Sequence, residues 1–159
     1  IRTLGLERTI ILCNTKLMCQ RLSDDLKRYG IQADCIHGDI PQQKREKTMR
    51  TFKEGKLPVL IATDVASRGI DVDDVDCVIN FDVPEENEYY IHRIGRTGRA
   101  KKKGIAVSIL GTFPEQAKLA EIAKYSHYQI QPVQFLEDGT LVEEAPKEKK
   151  KPMPRRRFR

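Results

Sequence analysis

The segment with the clearest chemical meaning is HRIGRTGR, residues 92–99, which places three arginines in eight residues. Arg93, Arg96 and Arg99 recur at every third position, so helical or tight-turn geometry would bring them to roughly one side of the chain. Guanidinium groups held rigidly between small residues suit a phosphoryl group whose negative charge builds up in a transition state. A solvated basic loop is the alternative interpretation of the same residues.

Four other polar segments follow apolar runs that we predict to be strands. They are residues 14–15 (NT), 37–39 (HGD), 63–64 (TD) and 67–71 (SRGID). Because ligands gather at the carboxyl ends of the strands in open parallel sheets, these segments are candidate ligand contacts. Gly, Asp and Thr are also common in turns for purely local reasons. All four segments, however, fall at the carboxyl ends of strands in one sheet, which favours a binding site.

The elements that must position these residues alternate between short apolar runs and amphipathic stretches. The pattern predicts strands over residues 8–13, 32–36, 57–62, 77–81 and 105–110, and helices over residues 16–29, 41–54, 86–94 and 114–126. Strand–helix alternation with short links predicts an α/β fold, a mostly parallel twisted sheet with helices on both faces. We place the folded domain at residues 1–138 and a basic, flexible tail at residues 139–159.

The net charge of +6 is concentrated at the end of the chain. Residues 147–159 hold eight lysines and arginines against one glutamate, which leaves residues 1–146 with a net charge of −1. A nucleic-acid site on the folded part must therefore be built by local placement of charge. No apolar run approaches the roughly 18 residues of a membrane helix, so we expect no membrane-spanning helix in this chain. The chain starts at Ile1 rather than Met, which we interpret as a cut from a longer protein.

Neither the cysteines nor the histidines are spaced as metal ligands. No CxxC pair occurs, and no histidine stands at zinc-ligand spacing from a cysteine. The residues concerned are Cys13, Cys19, Cys35, Cys77, His37, His92 and His127. We therefore expect no metal site on this chain, and buried, reduced thiols in a cytoplasmic protein.

Two features that a complete nucleotide site needs are missing from the sequence. It contains no GxxxxGK[ST] segment, so it has no such loop of backbone amides to cradle a triphosphate. It also contains no strand that ends in an acidic pair able to hold magnesium. Arginines suited to a nucleotide, without a pocket for it, indicate that another domain supplies the pocket.

These motifs identify a family. Over about residues 8–112 the chain resembles the second, C-terminal RecA-like domain of DEAD-box RNA helicases. The likeness rests on IILCNT (10–15) as motif IV, HGD with Gln42 and Arg45 as the segment after it, ATDVASRGID (62–71) as motif V and HRIGRTGR as motif VI. His92 favours the DEAD-box branch, because related helicase groups usually begin the last motif with Gln.

The resemblance implies roles for the arginines and for residues that meet the nucleotide. Arg96 and Arg99 correspond to the two arginine fingers that reach the γ-phosphate, and His92 to the residue that contacts the acidic motif of the first domain. Asp71 would meet the ATP ribose, beside Gly69. Arg93 and Arg68 would organise the sheet edge and the interface between the two domains. As alternatives from local chemistry, Asp71 is an ordinary turn residue, and Arg45 is a helix-surface ion-pair partner of nearby Glu46 or Asp residues.

The resemblance also implies a path for RNA along the strand ends. Its contacts would go mostly to phosphate and sugar, which position a strand without reading its sequence. Gly38 has no Cβ and would let a phosphate approach the main chain closely. An acid cannot attract phosphate, so we expect Asp39 to orient amides or to cap the helix at Pro41. Thr15 has the alternative role of capping the next helix. The proposed RNA-binding residues are Asn14, Thr15, Gly38, Asp39, Arg45, Thr63, Asp64 and Arg68.

The sequence therefore predicts the second motor domain of an ATP-dependent RNA helicase. ATP and Mg²⁺ would be bound mainly by the absent N-terminal RecA-like domain, so we expect this chain alone not to hydrolyse ATP. Its expected partners are RNA and that N-terminal domain, with no membrane, in a monomeric cytoplasmic protein. The alternatives are an RNA-binding module that acts through its basic tail and a DNA-directed helicase of a neighbouring group.

Overall fold

A computed structural model describes residues 1, 5–68, 72, 75–98 and 104–143. Gly69, Asp71 and Arg99, three of the predicted site residues, lie outside these ranges. The strands are β1 (Thr9–Cys13), β2 (Ala33–Ile36), β3 (Val59–Thr63), β4 (Cys77–Asn80), β5 (Ile105–Ser108), β6 (Val133–Phe135) and β7 (Leu141–Glu143). The helices are α1 (Lys16–Arg28), α2 (Gln42–Lys53), α3 (Asp64–Arg68), α4 (Asn87–Ile94) and α5 (Phe113–Ser126). Within these ranges, every helix is too short or too polar to cross a membrane.

The first five strands form one parallel sheet in the order β2-β3-β1-β4-β5. The chain leaves β1 through α1 toward β2 at one edge, and it leaves β4 through α4 toward β5 at the other edge. β1 and β4 are nevertheless neighbours, paired from Thr9 opposite Cys77 to Leu12 opposite Asn80. Connections that diverge in this way open a crevice at the carboxyl ends of the two strands.

The central strands are covered on both faces, which explains their apolar sequences. β1 and β3 are buried along their whole length. Successive side chains of a strand point to opposite faces: Ile10 and Leu12 join the core cluster of Phe52 in α2, and Ile11 joins that of Cys19 in α1. The predicted α/β fold, a parallel sheet with helices on both faces, is confirmed. Each predicted strand and helix is present, with ends that differ by at most two residues.

Two elements were not predicted from the sequence, the one-turn helix α3 and the hairpin of β6 and β7. In the hairpin, Phe135 pairs with Leu141 across a turn in which Gly139 has a φ of 82°, a conformation that favours glycine. Residues 139–143 therefore belong to a hairpin and not to the tail. The chain divides into two compact units after Tyr128, and the boundary predicted after Asp138 falls inside the hairpin turn. The basic segment 147–159 lies outside the described residues.

Candidate functional site

Arg93 occupies the crevice between the ends of β1 and β4. It lies in the last turn of α4 and is only 2% exposed. Its Nε and Nη2 donate to the two carboxylate oxygens of Asp64 at 2.7 and 2.6 Å, a bidentate ion pair. Nη2 also donates to Asn14 Oδ1 at 2.8 Å, and Nη1 donates to the carbonyl oxygen of Asp82 at 2.8 Å. One guanidinium thus joins the ends of β1, β3 and β4 to α4.

Asp82 completes this buried polar cluster. Its Oδ1 accepts a hydrogen bond from the backbone N–H of Asn14 at 2.7 Å and lies 3.9 Å from Arg93 Nη1. Burial raises the pKa of the Asp82 carboxyl, against the opposing effects of the Asn14 hydrogen bond and the Arg93 charge. Beneath it, the fully buried Asn80 accepts from Arg93 Nη1 at 3.5 Å and donates to Ser108 Oγ at 3.1 Å. The cluster therefore ties β1, β4 and β5 together through polar side chains.

Arg96 has a different environment, although it follows Arg93 by only three residues. It comes directly after Gly95, where α4 ends, and it is half-buried. Its Nη2 donates to the carbonyl oxygen of Ser67 in α3 at 3.1 Å. Its own carbonyl oxygen accepts from the N–H of Val75 at 3.3 Å. Arg93 and Arg96 both reach α3, at Asp64 and Ser67, but Arg93 is buried in the crevice whereas Arg96 is half-buried.

A third arginine strengthens the contact between α3 and α4. Arg68 is exposed, and its guanidinium lies 4.6 Å from the ring centroid of Tyr89, which is a cation–π geometry. Together with the Arg93–Asp64 ion pair and the hydrogen bond to Ser67 from Arg96, which follows α4, this contact places three arginine interactions between α3 and the α4 segment. The two arginine-bearing segments, SRGID and HRIGRTGR, are therefore positioned as one structural unit where the structure describes them.

The two predicted threonines cap helices. Thr15 Oγ1 accepts from the N–H of Met18 at 3.2 Å at the start of α1, which is the alternative role that local chemistry indicated. Thr63 Oγ1 accepts from the N–H of Ala66 at 3.4 Å, at the start of α3. The side chain of Asn14 is also engaged, because its Nδ2 donates to the carbonyl oxygen of Val83 at 2.9 Å while its Oδ1 accepts from Arg93.

The HGD segment forms a separate group at the end of β2. Asp39 does not cap α2, whose N-cap is Pro41 without a side-chain hydrogen bond. Its carboxylate accepts from Lys16 Nζ at 2.6 Å, and this hydrogen bond lowers the pKa of Asp39. Arg45 Nη1 donates to Gln42 Oε1 at 3.5 Å, and the Gln42 amide in turn donates to Glu46 at 2.9 Å. Arg45 therefore reaches the start of its own helix, and Glu46 is bound by Gln42.

Comparisons with known proteins agree with this geometry. The helicase conserved C-terminal domain family matches residues 2–101, more than half of the chain. The chain is a helicase C-terminal domain of the DEAD-box family. It is 46% identical to the ATP-dependent RNA helicase DbpA of Bacillus subtilis over 125 residues, which are 79% of this chain and 26% of DbpA. The chain thus spans about a quarter of the length of that relative.

Solved DEAD-box structures have the same fold. A DEAD-box protein from Methanococcus jannaschii superimposes with a TM-score of 0.73 at 46% identity, over 80% of this chain and 36% of that one. The C-terminal domain of the DEAD-box protein Dbp5 gives 0.72 at 38% identity, over 77% and 71% of the two chains. Saccharomyces cerevisiae Dbp5 bound to RNA and ADP BeF3 gives 0.71 at 38%, over 76% and 32%. The RecA-like fold expected from the motifs is confirmed.

In this DEAD-box domain, the predicted site residues fall into two groups at the carboxyl ends of the strands. Asn14 and Asp64 are brought together by Arg93, with Arg68 and Arg96 on the adjacent α3–α4 contact. The other group is formed at the ends of β1 and β2, where Lys16 meets the HGD segment. His92 lies on α4 and is exposed.

Sequence reasoning missed four residues of the site. Asp82 follows β4 directly, so the polar strand-end pattern that singled out other positions could have found it. Tyr89, Asn80 and Lys16 carried no comparable signal, because their roles depend on partners that are distant in sequence. In the described part of the chain, no group of three or more His, Cys, Asp or Glu side chains is arranged to hold a metal.

The cysteines of this helicase domain are free thiols, and all four are buried. Burial raises the pKa of Cys35 and of Cys77 to about 11. A hydrogen bond with Cys19, followed by burial, raises the pKa of Cys13. The prediction of buried, unpaired thiols is confirmed. We assign Cys13, Cys35 and Cys77 to packing, because a raised pKa favours the protonated thiol, which is a poor nucleophile.

Proposed function

We propose that this domain is the second motor domain of an ATP-dependent RNA helicase and supplies arginine fingers to ATP held on the first domain. The observation that supports the proposal is the contact of Arg96 with α3, where its guanidinium donates a hydrogen bond to the carbonyl oxygen of Ser67. The neighbouring Arg93–Asp64 ion pair fixes α3 against α4. Cationic donors that are positioned before the reaction stabilise developing charge without reorganising during the step.

Arg96, and Arg99 by the family resemblance, would contact the γ-phosphate as negative charge spreads over its oxygens. His92, exposed on α4, would contact the acidic motif of the first domain and couple nucleotide binding to closure. Asp71 and Gly69 would lie beside the ribose. The sequence has no GxxxxGK[ST] loop, which supports the proposal that ATP and Mg²⁺ are held mainly by the first domain.

RNA would run across the ends of β1, β2 and β3. Gly38, Arg45 and Arg68 are exposed or half-buried there and would meet phosphate and sugar. The side chains of Asn14, Asp64 and Thr63 already have protein partners, so we propose that they shape the path and that their main chains lie along it. The solved structure of Dbp5 with RNA supports this assignment by analogy.

The proposed cycle follows from these two surfaces. Closure of the two motor domains around ATP would bring the arginines to the γ-phosphate and the RNA path against the first domain at the same time. A single strand held on that path would be bent, which separates a short duplex locally. Hydrolysis followed by release of inorganic phosphate would remove the charge that the arginines bind, so the domains would reopen and release RNA. We propose that the protein acts as a cytoplasmic monomer.

Substitution of Arg96 in the longer helicase tests the proposal. Arg96→Ala should lower the kcat of RNA-stimulated ATP hydrolysis by about 10³-fold or more, the size of an arginine-finger effect. Arg28→Ala is the matched control, because Arg28 is exposed at the far end of α1. The 159-residue chain alone should not hydrolyse ATP. The proposal fails if Arg96→Ala keeps normal turnover, or if the isolated chain has an RNA-stimulated ATPase that depends on Arg96.

The basic C-terminal segment supports a second candidate function. Residues 147–159 carry a net charge of +7, whereas residues 1–146 carry −1, so an RNA-binding module acting through this segment would need no motor activity. For the full chain, the slope of log binding constant against log salt concentration would then be about −5, as eight counterions released from a single strand allow. Removing residues 146–159 would abolish RNA binding. Retention of RNA binding by the shortened chain would favour the strand-end path.

A further inference from the structure

Lys16 lies over the segment where RNA phosphate would approach the main chain. It is the first residue of α1, and its Nζ is 2.6 Å from Asp39 Oδ1. A Cβ at Gly38 would lie 3.6 Å from both Cε and Nζ of Lys16, so the end of the lysine side chain passes beside the glycine. Both members of the ion pair are largely exposed, at 53% for Lys16 and 68% for Asp39.

This contact explains an acid in a position where an acid is unexpected. A carboxylate beside a phosphate path repels the ligand unless it serves another group. Asp39 does not cap the following helix, and its backbone N–H donates to His37 Nδ1 at 3.3 Å. Its carboxylate is bound to Lys16. An ammonium group has three donors, so a bond to Asp39 leaves two that can be directed at a phosphate oxygen above Gly38.

The electrostatics of the domain favour a further basic side chain on this path. Residues 1–146 have a net charge of −1, so phosphate must be attracted by individual basic side chains. Arg93 cannot serve because it is buried and bound to Asp64. An exposed ion pair such as Lys16–Asp39 contributes little to folding. Lys16 can therefore be shared between a carboxylate and a phosphate at small cost to stability.

We propose that Lys16 is an RNA-phosphate ligand of this domain and that Asp39 is the positioning residue that holds its ammonium group over Gly38. The proposal rests on the proposed function, because it places a new contact on the strand-end RNA path. Asp39 acts through Lys16 and does not contact RNA. Its removal therefore weakens RNA binding although it deletes a negative charge beside an anion. If Asp39 acted only by repelling phosphate, its removal would strengthen RNA binding instead.

The test measures binding of fluorescein-labelled oligouridine to the full 159-residue chain by anisotropy at several salt concentrations. Lys16→Met should raise Kd by about fivefold at low salt, the upper end for one exposed charge pair, and reduce the magnitude of the log–log salt slope by about 0.7. Lys27→Met is the control, because the exposed Lys27 also pairs with a carboxylate, that of the half-buried Asp34 at 3.4 Å, but from the other end of α1, and it should leave Kd unchanged. Circular dichroism checks that each variant is folded.

Asp39→Asn should raise Kd by about two- to threefold, within the range for one exposed charge pair, and it should have no such effect in the Lys16→Met background. The proposal is overturned if Lys16→Met binds like Lys27→Met while Arg45→Met weakens binding, in which case the RNA path itself stands. If neither Lys16→Met nor Arg45→Met weakens binding, the proposed path fails as well. If Asp39→Asn tightens binding equally in both backgrounds, the positioning role of Asp39 is wrong.

Discussion

Replacement of Arg93 by methionine should lower the free energy of unfolding by about 3 kcal/mol. Removing one partner of a buried ion pair costs roughly 3–5 kcal/mol, because the other charge is left without compensation. The Arg93 side chain is 1% exposed, but that of Asp64 retains 19% and can be partly hydrated after the change. We therefore expect the lower end of the range. Methionine keeps most of the apolar stem, so the loss measures the guanidinium and its bonds to Asp64, Asn14 and Asp82.

Urea unfolding followed by circular dichroism at neutral pH measures this difference. Arg28→Met is the control, because Arg28 Nη2 also lies 2.6 Å from a carboxylate oxygen, that of Asp25, but its side chain is 76% exposed. That substitution should cost less than about 0.5 kcal/mol. The two ion pairs have the same N–O distance, so the difference between the two variants reports burial together with the additional hydrogen bonds of Arg93.

A double substitution separates the lost ion pair from lost packing. Adding Asp64→Asn to Arg93→Met removes the uncompensated charge, so the double variant should be more stable than Arg93→Met alone. Thermal unfolding should show the single variant melting about 6–12 °C below the unsubstituted chain. The reasoning is refuted if Arg93→Met costs no more than Arg28→Met, or if Asp64→Asn brings no recovery.

Two further predictions concern α5 and the Asp82 carboxyl. Thr112→Ala should lower the free energy of unfolding in urea by about 1 kcal/mol, because Thr112 and Glu115 form a reciprocal capping box at the start of α5. Thr112→Ser keeps the hydroxyl and should retain most of that stability. Equal stability of all three chains would contradict this prediction. Burial raises the pKa of Asp82, so the protonated form is favoured on folding and stability is lost as pH rises through the folded pKa. The free energy of unfolding of Asp82→Asn, relative to that of the unsubstituted chain, should therefore increase from pH 4 to pH 7. A difference between the two chains that does not change with pH would contradict this prediction.

The amino-acid sequence by itself determines the sheet, its helices and the location of the site at the carboxyl ends of the strands. β1 and β3 are nearly continuous apolar runs because both faces of the central strands are covered. The alternation of such runs with amphipathic helices is a local property, so it can be recognised without knowledge of which elements pack together. Polar residues directly after strands must gather at one end of the sheet, the carboxyl ends of its strands, once the strands are parallel. This reasoning led to Asn14, Asp64 and the HGD segment without coordinates.

Only the tertiary structure decides what each of these side chains does. Arg93 and Arg96 lie three residues apart in one motif, yet one is buried against Asp64, 29 residues earlier in the chain, and the other reaches Ser67. Asn14 and Arg93 are separated by 79 residues, and their contact depends on β1 and β4 being neighbours in the sheet. Helix α3 is too short to show a period. Spacing along a chain constrains geometry over a few residues, whereas strand order and packing select the partners of buried polar groups.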